Sequence, residues 1–316
     1  MGGFGLFRVV LAAGLAAGLF VAPTALAQPP GGSSQAVDDN RALDNDGPKS
    51  FGPFERQQRF ILHGADPGFE GGTVWFPKQS TGRPFPTILV MPGFLAFEGS
   101  VSWFGPLLAS YGFLVLTMFS KTPFDSPVAR NDQMAAAVQY LGKSKDYRDL
   151  VDTNQIGMVG WSYGGDAALH AAALKNPLPK AVVAFAPSSD KAMELDYQTP
   201  LDKVRVPAMM IGIDDDILCL LTDKYRERDK CALPAYRAIG GMQDKMFVQL
   251  SSSLMNHFEF ILSNPVVAAY TVAWLIRFVQ GRPDYNTFLC GGRPAGVAEI
   301  RSWLPSLPCA APRPVR

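Results

Sequence analysis

The stretch Val159-Gly160-Trp161-Ser162-Tyr163-Gly164-Gly165 decides the fold, because it joins a strand-like run to a helix-like run. Residues 155–159 before it are mostly apolar, and residues 166–174 after it have helical character. A Gly-x-Ser-x-Gly sequence in this setting is typical of a nucleophile elbow, a tight turn that presents a serine at the edge of an α/β sheet. The pattern therefore predicts that Ser162 is a nucleophile. The alternative is a glycine-rich turn with only a structural role.

Strand-length apolar runs alternate with helix-length runs along most of the chain. This alternation favours an α/β fold with a mostly parallel sheet and helices on both faces. The first two strands, joined near Gly71-Gly72, are expected to form an antiparallel edge. The expected strands are 60–62, 73–76, 87–91, 113–118, 156–159, 181–185, 208–213 and 246–250, and the expected helices are 102–109, 131–141, 166–174 and 265–279.

The first residues predict export. Arg8 precedes an uncharged apolar run, and the small-residue pattern Ala25-Leu26-Ala27 follows it, so residues 1–27 are interpreted as a signal peptide. The run is shorter than the ~20 residues of a membrane span, which argues against the alternative, a membrane anchor. Residues 28–50 are rich in Pro, Gly, Ser, Asp and Asn and are expected to be a flexible linker. Residues 51–316 are expected to form one catalytic domain, secreted or periplasmic.

Charge and cysteine content narrow the class of protein further. The net charge is +1, which argues against binding to nucleic acid through phosphate contacts. The charged segment 224–230 is typical of a solvated face. Four cysteines in an exported chain predict disulfides. Sequential pairing, Cys219 with Cys231 and Cys290 with Cys309, is expected because each pair brackets a short loop-rich segment, although Cys219 and Cys231 could instead be buried thiols.

A serine nucleophile needs a base, and the chain has only three histidines. His170 lies eight residues beyond Ser162, which places it ~12 Å down the following helix. His63 precedes the serine and would break the Ser, acid, His order of this fold. His257 follows the last expected strand and a short polar loop, where the base belongs. The sequence therefore predicts His257.

The acid that orients the base should follow the strand that precedes 246–250, the strand that leads to His257. Residues 209–213 run directly into Asp214, Asp215 and Asp216. Any one of these could instead be a turn residue or a helix N-cap, and spacing alone does not choose among them. Asp190, in the preceding loop, is a further candidate.

An oxyanion hole should be built from two backbone N–H groups. One belongs to Tyr163, the residue after the nucleophile, and the other to Phe94, in the loop Pro92-Gly93-Phe94-Leu95. The helix that begins at the elbow adds the positive end of its dipole. These segments follow strands and should meet at the carboxyl edge of the sheet.

With these motifs in this order, the chain resembles the bacterial polyesterase-lipase-cutinase family of α/β-hydrolases. The resemblance extends from about residue 69 to residue 309 and is strongest at 271–279 and at Phe288-Leu289-Cys290, which look like the family's last helix and closing disulfide. In that family the acid lies four residues after a strand glycine, which here is Gly212, so the resemblance selects Asp216. The family's tyrosine and methionine at the oxyanion positions are matched by Phe94 and Tyr163.

Two departures from the family pattern concern the substrate cleft. Family members carry a tryptophan after the Ala-Pro or Thr-Pro that follows the strand after the elbow helix, whereas Ala186-Pro187 is followed by Ser188 here. An aromatic platform worth ~1 kcal/mol is therefore missing at this position. The stretches on either side of the last strand are also longer than in the family, and one of them contains the segment 224–230.

The resemblance implies hydrolysis of carboxylic esters through an acyl-enzyme, without a metal or organic cofactor. Short acyl esters and aliphatic or aromatic polyesters such as cutin or PET are the expected substrates, and no nucleic-acid partner or membrane span of the mature protein is expected. The alternatives are an amide or acidic-polymer hydrolase, suggested by 224–230, Lys121 and Lys191, a dienelactone-hydrolase-like esterase, and a non-catalytic binding protein on the same fold. We expect a monomer. The residues expected to line the substrate cleft are Phe94, Leu95, Tyr163, Ser188, Leu218 and Phe258.

Overall fold

The computed structural model describes residues 51–79, 81–174, 178–187, 200–214, 216–217, 232–240, 244–251, 256–291 and 300–307. The predicted signal peptide and linker lie outside these ranges. So do several residues that the sequence singled out, namely Ser188, Asp190, Lys191, Asp215, Leu218, Cys219, residues 224–230, Cys231 and Cys309.

In the described ranges, nine strands form one sheet in the order β1-β2-β4-β3-β5-β6-β7-β8-β9. The pairs from β4 through β8 are parallel, and the pairs β1–β2, β2–β4 and β8–β9 are antiparallel. The mostly parallel α/β architecture is confirmed, with its antiparallel first edge. The strands are β1 Arg56–Ile61, β2 Gly72–Pro77, β3 Phe85–Met91, β4 Leu114–Met118, β5 Val151–Trp161, β6 Ala181–Phe185, β7 Ala208–Ile213, β8 Lys245–Leu250 and β9 Ile300–Ser306.

Strand β9 was not expected from the sequence. It contains Pro305, which has no N–H to donate to a sheet ladder and therefore argues against a strand in an interior position. In the structure β9 is the last strand of the sheet and pairs only with β8 among the described strands, with Pro305 opposite Met246. An edge position tolerates proline, which explains why the sequence pattern missed this strand.

The helices cover both faces of the sheet. α2 begins four residues before the expected start, because Pro127 occupies its first turn and the Ser126 hydroxyl accepts a hydrogen bond from the N–H of Ala129 at 3.2 Å. The helices are α1 Phe104–Ala109, α2 Pro127–Lys143, α3 Tyr163–Ala173, α4 Ala232–Ala238, α5 Pro265–Phe278 and α6 Asn286–Cys290, with 3₁₀ turns at Glu98–Ser100, Leu201–Lys203, Asn256–Ile261 and Pro283–Tyr285.

Two hydrophobic cores lie on opposite faces of the sheet. Successive strand side chains point to opposite faces, so in β3 Ile88 and Val90 join one core while Leu89 and Met91 join the other. α1 and α5 close the first core, and α2 and α3 close the second. Burial on both faces holds the strand ends, and the loops that follow them, in fixed positions. None of the helices in the described part of the chain is long and apolar enough to cross a membrane.

Candidate functional site at the carboxyl edge of the sheet

Ser162 lies on the sharp turn between β5 and α3. Its backbone angles are φ 54° and ψ −124°, a conformation that residues with a side chain rarely adopt. Two backbone hydrogen bonds hold the turn: the Ser162 N–H donates to the Phe185 carbonyl at 2.9 Å, and the Asp166 N–H donates to the Ser162 carbonyl at 3.0 Å. The strained conformation is the one that a nucleophile elbow requires.

The elbow glycines are needed because the backbone passes close to them. A Cβ on Gly160 would overlap the backbone carbonyl of Gly164, and a Cβ on Gly164 would overlap the carbonyl of Met91. A side chain at either position would therefore push α3 away from the ends of β3 and β5. The absence of both Cβ atoms lets the first turn of α3 lie against the loop that follows β3.

The structure brings Asp216 and His257 together. Asp216 follows β7, and His257 lies in the 3₁₀ turn after β8. The Nδ1 atom of His257 is 2.8 Å from Oδ2 of Asp216, and the two side chains are 4% and 7% exposed, respectively. Within the described ranges, Nε2 of His257 is buried and has no hydrogen-bond partner. When Nδ1 carries the proton and donates it to the carboxylate, Nε2 is an acceptor that can take a proton from a hydroxyl group.

Trp161 fixes the backbone of the histidine from the nucleophile side. Its indole Nε1–H donates to the carbonyl of His257 at 2.9 Å, and its ring centroid is 5.4 Å from that of the imidazole. Phe258 meets the imidazole edge to face at 5.7 Å. The residue directly before Ser162 is therefore bonded to His257. The elbow pattern alone gave no sign of this role for Trp161, although a buried indole usually finds an acceptor for its N–H.

Asp214 has different contacts. Its Oδ1 accepts a hydrogen bond from Nε2 of Gln249 at 3.1 Å, and its N–H donates to the carbonyl of Leu250 at 2.9 Å. Both partners belong to β8, so Asp214 extends the pairing of β7 with β8. Asp215 and Asp190 lie outside the described ranges. Of the two described carboxylates in the cluster after β7, Asp216 is the one that lies on the imidazole.

The other two histidines lie elsewhere. His63 is exposed, with its Nδ1 2.9 Å from Oε1 of Glu70 and its ring on Phe119. His170 lies near the end of α3, where burial lowers the pKa of its imidazole and Asp132 partly opposes that effect. His170 therefore lies down the helix that begins at the elbow, as its spacing from Ser162 predicted.

Phe94 and Tyr163 lie side by side, with ring centroids 5.2 Å apart. In the described part of the chain, no hydrogen bond uses the backbone N–H of Phe94. Tyr163 is the first residue of α3, so its N–H has no carbonyl one turn earlier within the helix. Two backbone donors are thus available beside Ser162. Burial raises the pKa of the Tyr163 phenol to about 12, and this side chain is therefore neutral at physiological pH.

Arg130, which the sequence did not single out, holds the loop that carries Phe94. The residue is fully buried. Its guanidinium donates to the carbonyls of Pro92 at 3.3 Å, Pro123 at 3.1 Å and Asp125 at 3.0 Å. Burial lowers the pKa of Arg130 to about 10, against the attraction of Asp125, and leaves it charged at neutral pH. One side chain of α2 therefore ties the loop after β3 to the loop after β4.

Replacing Arg130 by methionine should weaken both the fold and the site. The three carbonyls lose a charged donor, and we expect the free energy of unfolding to fall by about 2–4 kcal/mol. The Phe94 N–H should shift as the loop relaxes, and kcat for a short ester should fall about tenfold. Urea unfolding and steady-state kinetics measure the two effects.

The matched control for this substitution is Arg205→Met. Arg205 also donates to backbone carbonyls, those of Asp202 and Val204, but it is exposed to solvent. We expect this variant to lose less than about 0.5 kcal/mol of stability and to keep its kcat. Equal behaviour of the Arg130 and Arg205 variants would contradict the role assigned to Arg130.

The remaining predicted residues are only partly described. Phe94, Leu95 and Phe258 are half-buried at this edge, and Tyr163 is buried. Cys290 is disulfide-bonded, and both cysteines of the other predicted pair lie outside the described ranges, as does Cys309. Within those ranges, no group of three or more His, Cys, Asp or Glu side chains could hold a metal ion.

Known proteins match the chain over most of its length. The profile of PET hydrolase-like proteins matches residues 48–303. The bis(hydroxyethyl) terephthalate hydrolase of Streptomyces coelicolor is 31% identical over 239 residues, which cover 76% of this chain and 72% of that protein. Cutinase 2 of Thermobifida cellulosilytica is 32% identical over 265 residues, or 80% of this chain and 92% of that one. Cutinase cut1 of Thermobifida fusca is 32% identical over 265 residues, or 80% and 76%.

Proposed function

The chain belongs to the PET hydrolase-like family, and on that premise we propose that it is an exported serine hydrolase that cleaves carboxylic esters through an acyl-enzyme. The resemblance to bacterial polyesterases and cutinases is confirmed by these matches, and with it the class of enzyme. The residue roles, the acyl-enzyme and the export of the protein are our proposal.

The observation that carries the mechanism is the buried contact between Asp216 and His257, which leaves Nε2 of the imidazole as the acceptor. The Ser162 hydroxyl transfers its proton to Nε2 as its oxygen bonds to the ester carbonyl carbon. Asp216 orients the ring and stabilises the imidazolium that forms. The Phe94 and Tyr163 N–H groups donate to the oxyanion, which gains negative charge as the tetrahedral intermediate forms.

Collapse of the intermediate breaks the bond to the alcohol, and His257 returns the proton to the departing oxygen. Water then attacks the acyl-enzyme by the same route, with His257 again taking a proton and giving it back to Ser162. The products are a carboxylic acid and an alcohol, and no other reactant is consumed. Because the site is buried, its donors act in surroundings of low polarity, where each is worth more than in water.

Short acyl esters and the ester bonds of polyesters are the proposed substrates. The relatives named as cutinases and as a bis(hydroxyethyl) terephthalate hydrolase support this substrate class. We propose that the mature protein acts as a monomer in the periplasm or outside the cell.

A fluorophosphonate probe tests the proposed nucleophile directly. We expect one equivalent of probe to attach to Ser162, identified by peptide mass spectrometry, and hydrolysis of p-nitrophenyl butyrate to stop in proportion to labelling. Heat-denatured protein is the control and should take up no probe. Labelling at another residue, or none at all in active protein, would overturn the proposal.

A substrate panel tests the ester assignment. Esters from methyl butyrate to aliphatic and aromatic polyesters should be hydrolysed, and poly(amino acids) should not. Faster cleavage of an anionic poly(amino acid) that fades with added salt would instead favour the amide or acidic-polymer alternative.

A further inference from the structure

Glu98 is a buried carboxyl group that the proposed mechanism does not use. It lies in the 3₁₀ turn Glu98–Ser100, four residues after Phe94, and is 9% exposed. Its Oε1 is hydrogen-bonded to the Thr117 hydroxyl on β4, and the Thr73 side chain on β2 also bonds to the carboxyl group. The ion pairs in the described part of the chain do not include it. Its side-chain partners among those residues are therefore hydroxyl groups.

The hydrogen bonds of Thr117 indicate that Glu98 carries a proton. The Thr117 hydroxyl has one hydrogen, and its oxygen lies 3.3 Å from the Thr73 carbonyl as well as against Oε1 of Glu98. Both hydrogen bonds form at once only when the carboxylic acid donates to the Thr117 oxygen and the hydroxyl donates to the carbonyl. Burial raises the pKa of Glu98 and outweighs the opposing effect of the two threonine side chains, in agreement with this assignment.

No charged side chain of the described residues shifts the pKa of Glu98. The elements around it, β2, β4 and α1, contain no Asp, Glu, His, Lys or Arg. In the adjoining loops, Glu70 is bonded to His63, and the Lys121 ammonium donates to the Pro67 carbonyl. A negative charge on Glu98 would thus have no described cation beside it, and burying such a charge is costly.

The Glu98 carboxyl group fixes the far end of the loop that carries Phe94, as Arg130 fixes its near end. Between these two anchors, Leu95 has φ 57°, which is unfavourable for a residue with a side chain. Such a conformation persists only where the surroundings hold the backbone in place. The N–H of Phe94, directly before Leu95, therefore depends on both anchors for its direction.

We propose that Glu98 is a positioning residue: as an undissociated acid it bonds the loop after β3 to β4 and β2, and so keeps the Phe94 N–H aimed at the oxyanion. The inference rests on the proposed function and deepens it. Ionisation of Glu98 would remove the donor to Thr117 and leave a buried charge, and the loop would relax away from β4. A displaced oxyanion donor weakens binding of the transition state more than binding of the substrate, so the loss appears in kcat.

The test compares Glu98→Gln, which keeps the shape and an N–H donor, with Glu98→Leu, which keeps only the bulk. We expect kcat for methyl butyrate at neutral pH to stay within about threefold of wild type in Glu98→Gln and to fall about tenfold in Glu98→Leu, with KM within about twofold in both. Thr117→Val removes the partner hydroxyl and should lower kcat as Glu98→Leu does. Glu55→Gln, which changes an exposed carboxylate paired with Lys78, is the matched control and should leave kcat unchanged.

Infrared difference spectra measure the protonation of Glu98 separately from activity. At neutral pH, wild type should show the C=O stretch of an undissociated carboxylic acid that Glu98→Gln lacks and Glu55→Gln retains. As the pH rises through the raised pKa of Glu98, this band and the kcat of wild type should fall together, because the ionised group no longer donates to Thr117. Glu98→Gln has no group to ionise at this position and should keep its kcat over the same range.

The outcomes separate the inference from the proposed function. Active wild type without this band, an equal fall of kcat in Glu98→Gln and Glu98→Leu, or a Glu98→Leu variant with the kcat of wild type would overturn the inference alone. Thermal unfolding scans show which variants are folded, and Thr117→Val decides in place of a Glu98→Leu variant that does not fold. Wild-type protein that hydrolyses no ester would overturn the proposed function, and the infrared band would still report whether Glu98 is protonated.

Discussion

Replacing Ser162 by alanine is expected to lower kcat for ester hydrolysis by about 10⁴-fold to 10⁶-fold. Alanine has no oxygen to attack the carbonyl, so the acyl-enzyme cannot form. The backbone should keep its conformation, because alanine differs from serine only in the hydroxyl and both residues adopt φ 54° at similar cost. KM should change little, since the oxyanion donors and the cleft remain in place. Stopped assays with p-nitrophenyl butyrate on highly purified protein measure the effect.

Ser110→Ala is the matched control for this substitution. Ser110 is also fully buried, and its hydroxyl is bonded to backbone groups, with the Gly52 N–H donating to it at 2.7 Å. We expect this variant to lose about 1 kcal/mol of stability and to keep its kcat within about twofold. Substantial hydrolysis by clean Ser162→Ala protein would rule out the nucleophile that we propose.

Replacing Asp216 by asparagine is expected to lower kcat by about 10⁴-fold. The amide keeps the shape of the carboxylate but not its charge, so the imidazolium that forms during proton transfer loses its stabilising partner. An amide NH₂ facing Nδ1 would also favour the tautomer that puts the proton on Nε2. An Nε2 atom that already carries a proton cannot accept the serine proton. The pair is almost fully buried, and water therefore offers little compensation.

Asp214→Asn distinguishes the role of Asp214 from that of Asp216. Asp214 bonds to Gln249, and its asparagine variant can keep that contact through the amide oxygen. We expect its kcat to fall less than about tenfold, and kcat of Asp190→Asn to stay near that of wild type. A larger fall in Asp214→Asn or Asp190→Asn than in Asp216→Asn would assign the role of the acid to that residue instead.

Local sequence pattern predicted the features of the molecule whose defining residues are close together in the chain. The elbow combines a strand, a Gly-x-Ser-x-Gly turn and a helix within about twenty residues, and each of these has its own periodicity. The alternation of buried strands with helices predicted the parallel sheet for the same reason. His257 could be predicted because the chain contains only three histidines. Chain order argued against His63, and its distance down the helix argued against His170.

Three-dimensional contacts between distant residues explain what the sequence missed. Strand spacing alone did not choose among Asp214, Asp215 and Asp216, because the choice depends on which side chain points at the imidazole; only the family resemblance selected Asp216. Arg130 is a charged residue of α2 that is fully buried, and its acceptors are carbonyls of other loops, which no residue-type pattern marks.

In the proposed mechanism, the contact between Asp216 and His257 makes activity a reporter of the assembly of β5, β7 and β8. The two residues are 41 positions apart in the chain, and the Trp161 indole bonds to a carbonyl 96 positions away. β7 and β8 must be paired in register before the carboxylate and the imidazole can meet, and β5 must already lie in the sheet for Trp161 to reach the same turn. Contacts of such long range form only after extended loops have closed, which is the slow part of folding for sheets of this kind. A partly assembled chain therefore has the elbow sequence but lacks activity, and recovered hydrolysis marks the molecules in which β5, β7 and β8 have come together.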